Sequence, residues 1–196
     1  MFYQNLKFPK VKGRPYFYTN FVQTIDGKVA VKEYGYWPIG SGKDYGALTE
    51  LRAYADCLIH GKNLYNQFGD ITKQSLQRKA FKAVRKKLGK NPDLPYIAGT
   101  HNLKKLSKEL VKKGYKYVLV EGGPTLLGSF LKEGLIDEIF LTIAPKIYGT
   151  PHHGGAGPTT LTLVEGILFL PNKFKLKLIS VKKIKDELFL RYALKS

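Results

Sequence analysis

Hydrophobic residues recur along the chain with two different periods, and each period predicts a different element. Between residues 73 and 88, and again between 103 and 113, apolar residues recur close to every 3.6 positions. This spacing is typical of amphipathic helices, and Gly114 predicts the end of the second one. Two further helices are predicted at residues 45–54 and 123–131.

Shorter apolar and β-branched runs predict the strands of a sheet. Strands that alternate with helices favour a parallel sheet, and a final run of strands favours an antiparallel hairpin. With 196 residues, of which 43% are hydrophobic, the chain can form one core and leaves little room for two. We therefore expect one α/β domain over residues 1–196, with a mainly parallel central sheet, flanking helices and an antiparallel C-terminal hairpin. The predicted strands are residues 15–22, 57–59, 94–98, 117–120, 136–143, 161–170, 174–181 and 188–194.

The chain is strongly basic, with 33 Lys and Arg against 15 Asp and Glu and a net charge of +18. Much of the excess lies between residues 72 and 117, where we expect Lys side chains on the solvated faces of two amphipathic helices. A positive field attracts anionic ligands, but the sequence has no zinc-finger, helix-turn-helix or RNA-binding motif. No nucleic-acid partner is predicted, and a basic, non-enzymatic nucleic-acid-binding protein is the alternative from another class.

Cysteine content and hydropathy restrict the class of protein further. Cys57 is the only cysteine, which excludes a disulfide framework. No apolar run is long enough to span a bilayer, and residues 1–12 lack the apolar segment of a signal peptide. His152 and His153 have no acid or cysteine at ligand spacing. We expect a reduced, cytoplasmic protein without a metal site or a membrane contact.

The segment at residues 120–126, Val-Glu-Gly-Gly-Pro-Thr-Leu, predicts a strand that passes through two glycines into a helix. Gly122 and Gly123 allow close approach of the backbone to a ligand, and the N–H groups of a helix start attract phosphate. Glu121 stands at the carboxyl end of the strand, where ligands of open α/β sheets bind. The alternative is an ordinary strand-to-helix turn in which Glu121 is exposed or capping.

A second glycine turn follows the strand at residues 57–59. Gly61 permits close approach there, and Lys62 is a natural partner for phosphate. Two glycine turns after separate strands suit a dinucleotide that lies across a sheet.

A third segment, residues 20–30, predicts a strand that ends in the turn Asp26-Gly27 and then resumes. The Asp in such a turn commonly bonds its own backbone. The alternative is a loop over a binding site, because the aromatic and glycine-rich residues 34–42 follow and include Trp37, the only tryptophan. Aromatic side chains on loops often contact ligands.

These segments, in this order, resemble the reductase domain of riboflavin biosynthesis, which belongs to the dihydrofolate-reductase-like superfamily. No single motif is specific, but the combination is. The matching residues are 20–30, Trp37, Leu51-Arg52-Ala53 with Ala55-Asp56 and Gly61, residues 120–126, Gly-Leu-Ile-Asp-Glu at 134–138, and Ala-Pro-Lys at 144–146 with Gly149.

The resemblance implies a dihydrofolate-reductase-like fold, a homodimer, and hydride transfer from NADPH to a small heterocyclic substrate. It implies catalytic roles for Asp44 and Glu121. The substrate contacts that we expect are Asn20, Thr24, Asp26, Arg52 and Glu121. The cofactor contacts that we expect are Val22, Trp37, Gly61, Lys62, Asn63, Gly122, Gly123, Pro124, Thr125 and Leu126.

Two substrates fit this resemblance. The first is 5-amino-6-(5-phosphoribosylamino)uracil or its diaminopyrimidinone equivalent, for which Arg52 or a nearby Lys is the expected contact and Asp44 matters little. The second is dihydrofolate, for which Asp44 is expected to bind the protonated pteridine. The alternative for Asp44 is a structural role, as the cap of the helix at 45–54 or within its first turn. The chain departs from the family at residues 65–70, where Tyr-Asn-Gln-Phe-Gly-Asp replaces the Asp-Asp-Pro stretch of the phosphosugar site.

Overall fold

A computed structural model describes residues 2–3, 6–31, 38–99, 102–150 and 159–195 of the chain. Nine strands and five helices are found in this part of the chain. The helices are α1 (Gly42–Tyr54), α2 (Lys62–Gln77), α3 (Lys79–Lys87), α4 (Leu103–Lys112) and α5 (Pro124–Lys132). The strands are β1 (Tyr16–Thr24), β2 (Ala30–Val31), β3 (Cys57–His60), β4 (Tyr96–Ala98), β5 (Tyr117–Glu121), β6 (Glu138–Ala144), β7 (Thr160–Leu161), β8 (Lys175–Ile184) and β9 (Glu187–Lys195).

Seven strands form one sheet in the order β4-β3-β5-β1-β6-β9-β8. The first five in this order are parallel to their neighbours, and β9 and β8 complete the sheet in antiparallel orientation. A separate ladder pairs β2 with β7. The expected mainly parallel sheet with an antiparallel C-terminal hairpin is confirmed, and the carboxyl ends of its parallel strands meet at one edge.

Helices cover both faces of the sheet. On one face, Leu51 of α1, Leu76 of α2 and Phe81 of α3 pack with Tyr18 and other side chains of the central strands. On the other face, α4 and α5 pack on a second cluster that includes Phe17. Because side chains alternate along a strand, Tyr18 and Phe17 of β1 belong to opposite cores.

The single helix expected at residues 73–88 is wrong, because two helices occupy and extend beyond that stretch. α2 begins at Lys62, directly after β3, and the chain becomes extended at Arg78 before α3 begins. Leu76 and Phe81 are both buried. In one continuous helix these two side chains would point about 140° apart, so the break at Arg78 lets both reach the same core.

The strand expected at residues 161–170 is also wrong, since only Thr160–Leu161 is extended and paired. Directly afterwards the Thr162 backbone N–H donates to the Glu165 carboxylate at 2.7 Å, which closes a local turn. Gly166 follows in the left-handed region at φ +77°. A local side-chain hydrogen bond and a glycine turn therefore replace the regular ladder.

Candidate active site

Polar side chains collect at the carboxyl ends of the central strands, on the face that α1 covers. His60 of β3 is the register partner of Glu121 of β5, and Val22 of β1 is the partner of Thr142 of β6. Asn20 lies two positions before Val22 and therefore on the same face. Ligands of open parallel sheets bind at this edge, which makes it the candidate active site.

Arg52 of α1 and Glu121 form a buried ion pair at this edge. Arg52 donates from Nε to Oε1 and from Nη2 to Oε2 of Glu121, both at 2.6 Å, and the two residues are 6% and 4% exposed. Burial by itself raises the pKa of Glu121, but Arg52 and His60 outweigh it and lower the pKa to about 2. The structure brings these two expected substrate contacts together, whereas the alternative of an exposed or capping Glu121 is wrong.

Asp44 is a second buried acid at this edge and has no cation beside it in the described part of the chain. It lies in the first turn of α1, which is one of the two positions expected for it, and the cap is the Ser41 hydroxyl instead. Burial, supported by the Glu187 carboxylate, raises the pKa of Asp44 to about 6, against the opposing hydrogen bond of Thr142. An acid with such a pKa exchanges its proton near neutral pH.

Two buried side-chain oxygens have no hydrogen-bond partner within the described ranges, Oδ1 of Asn20 and Oδ1 of Asp44. Both belong to the same edge, because Asn20 pairs in register with Phe140, and Thr142, which contacts Asp44, is the next residue on that face of β6. Buried polar atoms without partners are rare. Their position at one edge of the sheet indicates a ligand site.

The two glycine turns lie side by side. A Cβ atom on Gly61 would stand 3.7 Å from the Cα of Gly122, and one on Gly122 would stand 2.5 Å from Leu126 Cδ2. Apart from Gly123 and its chain neighbours, no residue that the structure describes has an atom within 4 Å of the Cβ position of Gly123, so the described part of the chain leaves this side of the backbone open. The turns are thus adjacent, as a dinucleotide lying across the sheet requires.

Each glycine turn opens a helix whose first N–H groups lack a side-chain cap. Gly61 and Gly123 are the N-caps of α2 and α5, and neither helix has an acid in its first turn. By contrast, α1 and α4 are capped by Ser41 and Asn102. Most of the expected cofactor contacts lie on or beside these two starts: Lys62 and Asn63 in α2, Gly122 before α5, and Pro124, Thr125 and Leu126 in α5. Val22, a further expected contact, lies on β1 instead.

Thr24 and Asp26, two further expected substrate contacts, make hydrogen bonds within the protein. The Thr24 hydroxyl donates to Asp26 Oδ1 at 2.5 Å and accepts from the Lys28 N–H. The Asp26 carboxylate also accepts from the backbone N–H groups of Tyr148 and Gly149, and the Thr24 bond is the main cause that lowers its pKa. This pair therefore ties the turn after β1 to the chain that follows β6.

Sequence reasoning missed two side chains that support the ion pair. His60 contacts Glu121 Oε2 through Nε2 at 2.8 Å, and Arg85 donates to the carbonyls of Arg52, Ala53 and Ala55 at the end of α1. Arg85 is 1% exposed, although its helix was expected to present its charges to solvent. For His60, the only local signal in the sequence was a histidine at the carboxyl end of a strand. For Arg85, the sequence carried no local signal.

Some expectations fall on parts of the chain outside the described residues. Trp37, the expected cofactor contact on the glycine-rich loop, is one of them, and so are His152 and His153. Within the described ranges there is no group of three or more metal-ligating side chains. None of the helices described is both long and apolar enough to cross a membrane.

Comparison with known proteins assigns the fold and the family. Residues 68–190 match the family model of the RibD C-terminal domain. The riboflavin biosynthesis protein RibD of Aquifex aeolicus is 52% identical over 48 residues, which cover 24% of this chain and 14% of that protein. Matches to bacterial RibD proteins span 14% to 20% of their length.

A shorter relative matches along its whole length. The 2,5-diamino-6-ribosylamino-4(3H)-pyrimidinone 5′-phosphate reductase of Methanothermobacter thermautotrophicus is 27% identical over 220 residues, which cover 93% of this chain and 99% of that protein.

Solved structures share the fold at low sequence identity. RibD of Acinetobacter baumannii has a TM-score of 0.70 at 17% identity, over 94% of this chain and 59% of that one. Dihydrofolate reductase of Enterococcus faecalis has a TM-score of 0.54 at 9% identity, over 92% of this chain and 97% of that one. The expected dihydrofolate-reductase-like fold is confirmed.

Proposed function

The chain belongs to the RibD C-terminal domain family, and from this premise we propose that it reduces a ribosylaminopyrimidine 5′-phosphate with NADPH. The relative that matches over 93% of this chain is named a reductase of 2,5-diamino-6-ribosylamino-4(3H)-pyrimidinone 5′-phosphate, which favours this pyrimidinone over the aminouracil. With the pyrimidinone as substrate, the reaction belongs to riboflavin biosynthesis. Dihydrofolate is the second candidate substrate.

The observation that carries the proposal is Asp44. It is a buried acid with a pKa of about 6 and with Oδ1 free of any partner in the described residues. Reduction of a C=N bond needs one proton in addition to the hydride, and an acid with a pKa near the working pH supplies it efficiently. From the sequence, Asp44 was expected to matter little with a pyrimidine substrate, whereas its buried environment supports the greater role proposed here.

NADPH fits the two glycine turns. The helix starts at Gly61 and Gly123 carry uncapped N–H groups, which favour anions such as the pyrophosphate. The Cβ position of Gly123 is open, so a ligand can approach the backbone there. The positive net charge of +18 further raises the local concentration of an anionic cofactor and an anionic substrate.

If bound at the two glycine turns, NADPH would supply a hydride to the C=N carbon of the ring-opened ribosylamine. The electron pair of the C=N bond moves to nitrogen, and Asp44 transfers its proton to that nitrogen from Oδ1. Asn20 accepts a hydrogen bond from the heterocycle at its own unpartnered Oδ1. Arg52, held by Glu121, donates to an anionic or carbonyl oxygen of the substrate.

The test follows NADPH oxidation at the absorbance of the reduced nicotinamide, with the pyrimidinone phosphate, the aminouracil phosphate and dihydrofolate in turn. We expect turnover of the pyrimidinone phosphate. In Asp44→Asn we expect kcat to fall about 100-fold with a nearly unchanged KM, since only the proton is lost. In the wild type, kcat should decline as the pH rises above about 6, where Asp44 loses its proton.

The outcomes separate the candidates. Turnover of dihydrofolate alone would replace the proposed substrate by the second candidate. Turnover of the pyrimidinone phosphate with an unchanged kcat in Asp44→Asn would keep the substrate and remove Asp44 as the proton donor.

We also propose that the chain forms a homodimer through β8. This strand is at the edge of the sheet and exposes Leu176, Leu178, Ile179 and Val181, each by 44% to 53%. Exposed apolar edge strands readily pair with another chain. Light scattering at micromolar concentration should give twice the monomer mass of 22.1 kDa, Val181→Asp should give the monomer, and Ile71→Asp on α2 is the matched control. A wild-type monomer would contradict the proposal.

A further inference from the structure

His60 is a buried histidine at the carboxyl end of β3 that takes no direct part in the proposed reduction. The side chain is 1% exposed. Its Nε2 lies 2.8 Å from Glu121 Oε2, and its Nδ1 lies 2.6 Å from the hydroxyl oxygen of Tyr96 on β4. The two rings also meet edge to face, with centroids 4.8 Å apart. Both ring nitrogens are therefore occupied.

The carboxylate partner of His60 requires a proton on one of the two ring nitrogens. Glu121, with its pKa lowered to about 2, is a carboxylate and can only accept, so Nε2 must donate. Burial raises the pKa of Tyr96, which keeps this side chain a phenol whose O–H can donate to Nδ1. A neutral ring with its proton on Nε2 satisfies both contacts, and the hydrogen bonds then run in one direction from Tyr96 through His60 to Glu121.

This chain of bonds restrains Glu121 and, through it, Arg52. Three donors hold the Glu121 carboxylate, namely Arg52 Nε on Oε1, and Arg52 Nη2 and His60 Nε2 on Oε2. Arg52 therefore uses two of its three nitrogens on Glu121, while Nη1 donates to none of the residues that the structure describes. Without His60, the carboxylate would be held by Arg52 alone and could rotate together with the guanidinium.

We propose that His60, supported by Tyr96, is a positioning residue for substrate binding, because it fixes Glu121 and thereby keeps Nη1 of Arg52 in place for an anionic or carbonyl oxygen of the substrate. This rests on the proposed function for the identity of the substrate. His60 and Tyr96 touch neither the hydride nor the proton that is transferred, so their contribution belongs to KM rather than to kcat.

The experiment compares His60→Leu, His60→Gln and Tyr96→Phe in steady-state reduction of the pyrimidinone phosphate by NADPH. Leu cannot donate or accept, whereas the Gln amide can both donate to Glu121 and accept from Tyr96. We expect KM to rise at least tenfold in His60→Leu, to return to within about threefold of wild type in His60→Gln, and to rise less in Tyr96→Phe. In all three variants kcat should stay within about threefold of the wild-type value.

Tyr16→Phe is the matched control. Tyr16 also donates its hydroxyl to a buried glutamate, Glu138, at 2.7 Å, and Arg191 pairs with that glutamate. This second network lies on the same face at the amino ends of the strands, away from the candidate site. The control loses a comparable buried hydrogen bond, and we expect its KM and kcat to be those of the wild type.

A measurement without substrate completes the test. The 15N chemical shifts of the His60 ring should show a protonated Nε2 and an unprotonated Nδ1, and Tyr96→Phe should shift the Nδ1 resonance. A wild-type KM in His60→Leu, an equal loss of kcat in the Leu and Gln variants, or a proton on Nδ1 would overturn the proposal. Failure of the proposed function is distinguishable, because it appears as absent turnover in the wild type itself.

Discussion

Glu121 and Asp44 are both buried carboxylates on one face of the sheet, at the same edge, yet their surroundings are opposite. Glu121 lies between Arg52 and His60, and its pKa is lowered to about 2. Asp44 lies near Thr142 and another acid, Glu187, and its pKa is raised to about 6. Buried titratable groups whose pKa values are pushed apart take different roles. The difference supports our proposals that Glu121 positions the substrate contact and that Asp44 transfers the proton.

The largest effect on stability should come from breaking the ion pair between Arg52 and Glu121. Arg52→Leu leaves the Glu121 carboxylate buried without its cation, and we expect it to lower the free energy of unfolding by about 3–5 kcal/mol. The double variant Arg52→Leu/Glu121→Leu removes both charges, so its free energy of unfolding should fall much less than that of Arg52→Leu. Urea unfolding at neutral pH measures both. If the free energy of unfolding of Arg52→Leu stayed within about 1 kcal/mol of the wild-type value, the loss of Arg52 would not leave an uncompensated buried charge on Glu121.

The pH dependence of stability should have opposite signs for the two acids. The raised pKa of Asp44 means that the folded state holds a proton which the unfolded state releases near pH 3.8. Asp44 therefore favours folding most at low pH, and this contribution is lost as the pH rises toward 6. For Glu121 the contribution is present above pH 4.5 and is lost as the pH falls toward 2.

Asp44→Asn isolates the first of these effects. The variant keeps the shape of the protonated acid without the charge, so above pH 6 it should be more stable than wild type by about 3 kcal/mol. Near pH 3 the two proteins should be equally stable. Unfolding curves at pH 3 and pH 8 check this, and an equal difference at both values would show that Asp44 does not titrate as described.

The smallest effect concerns the glycine turn before α5, where we propose that the cofactor binds. Gly123→Val fills an open position, so it should weaken NADPH binding at least tenfold, about 1.4 kcal/mol, with little change in thermal stability. Gly122→Ala should instead lower stability by about 1–3 kcal/mol, because its Cβ meets Leu126 Cδ2 at 2.5 Å. Fluorescence titration measures the NADPH affinity of both variants, and thermal melting measures their stability. Unchanged NADPH affinity in Gly123→Val would remove the cofactor from this turn.

Much of the fold follows from local patterns. The strand at β5, the helix at α4 that ends before Gly114, and the C-terminal hairpin of β8 and β9 were all predicted from the spacing of apolar residues. The glycine turns at Gly61 and Gly123 were predicted as well. Periodicity and turn chemistry act over a few residues, so an isolated sequence is enough to read them.

The partners of buried charges were decided by the tertiary structure alone. Arg52 and Glu121 are 69 positions apart, and His60 and Glu121 are 61 apart. Sequence reasoning named Arg52, Glu121 and Asp44 as site residues, but it could not tell which acid meets a cation, nor that His60 and Arg85 are buried. The cost of a buried charge depends on the groups within a few ångströms, and packing brings those groups together from distant positions in the chain.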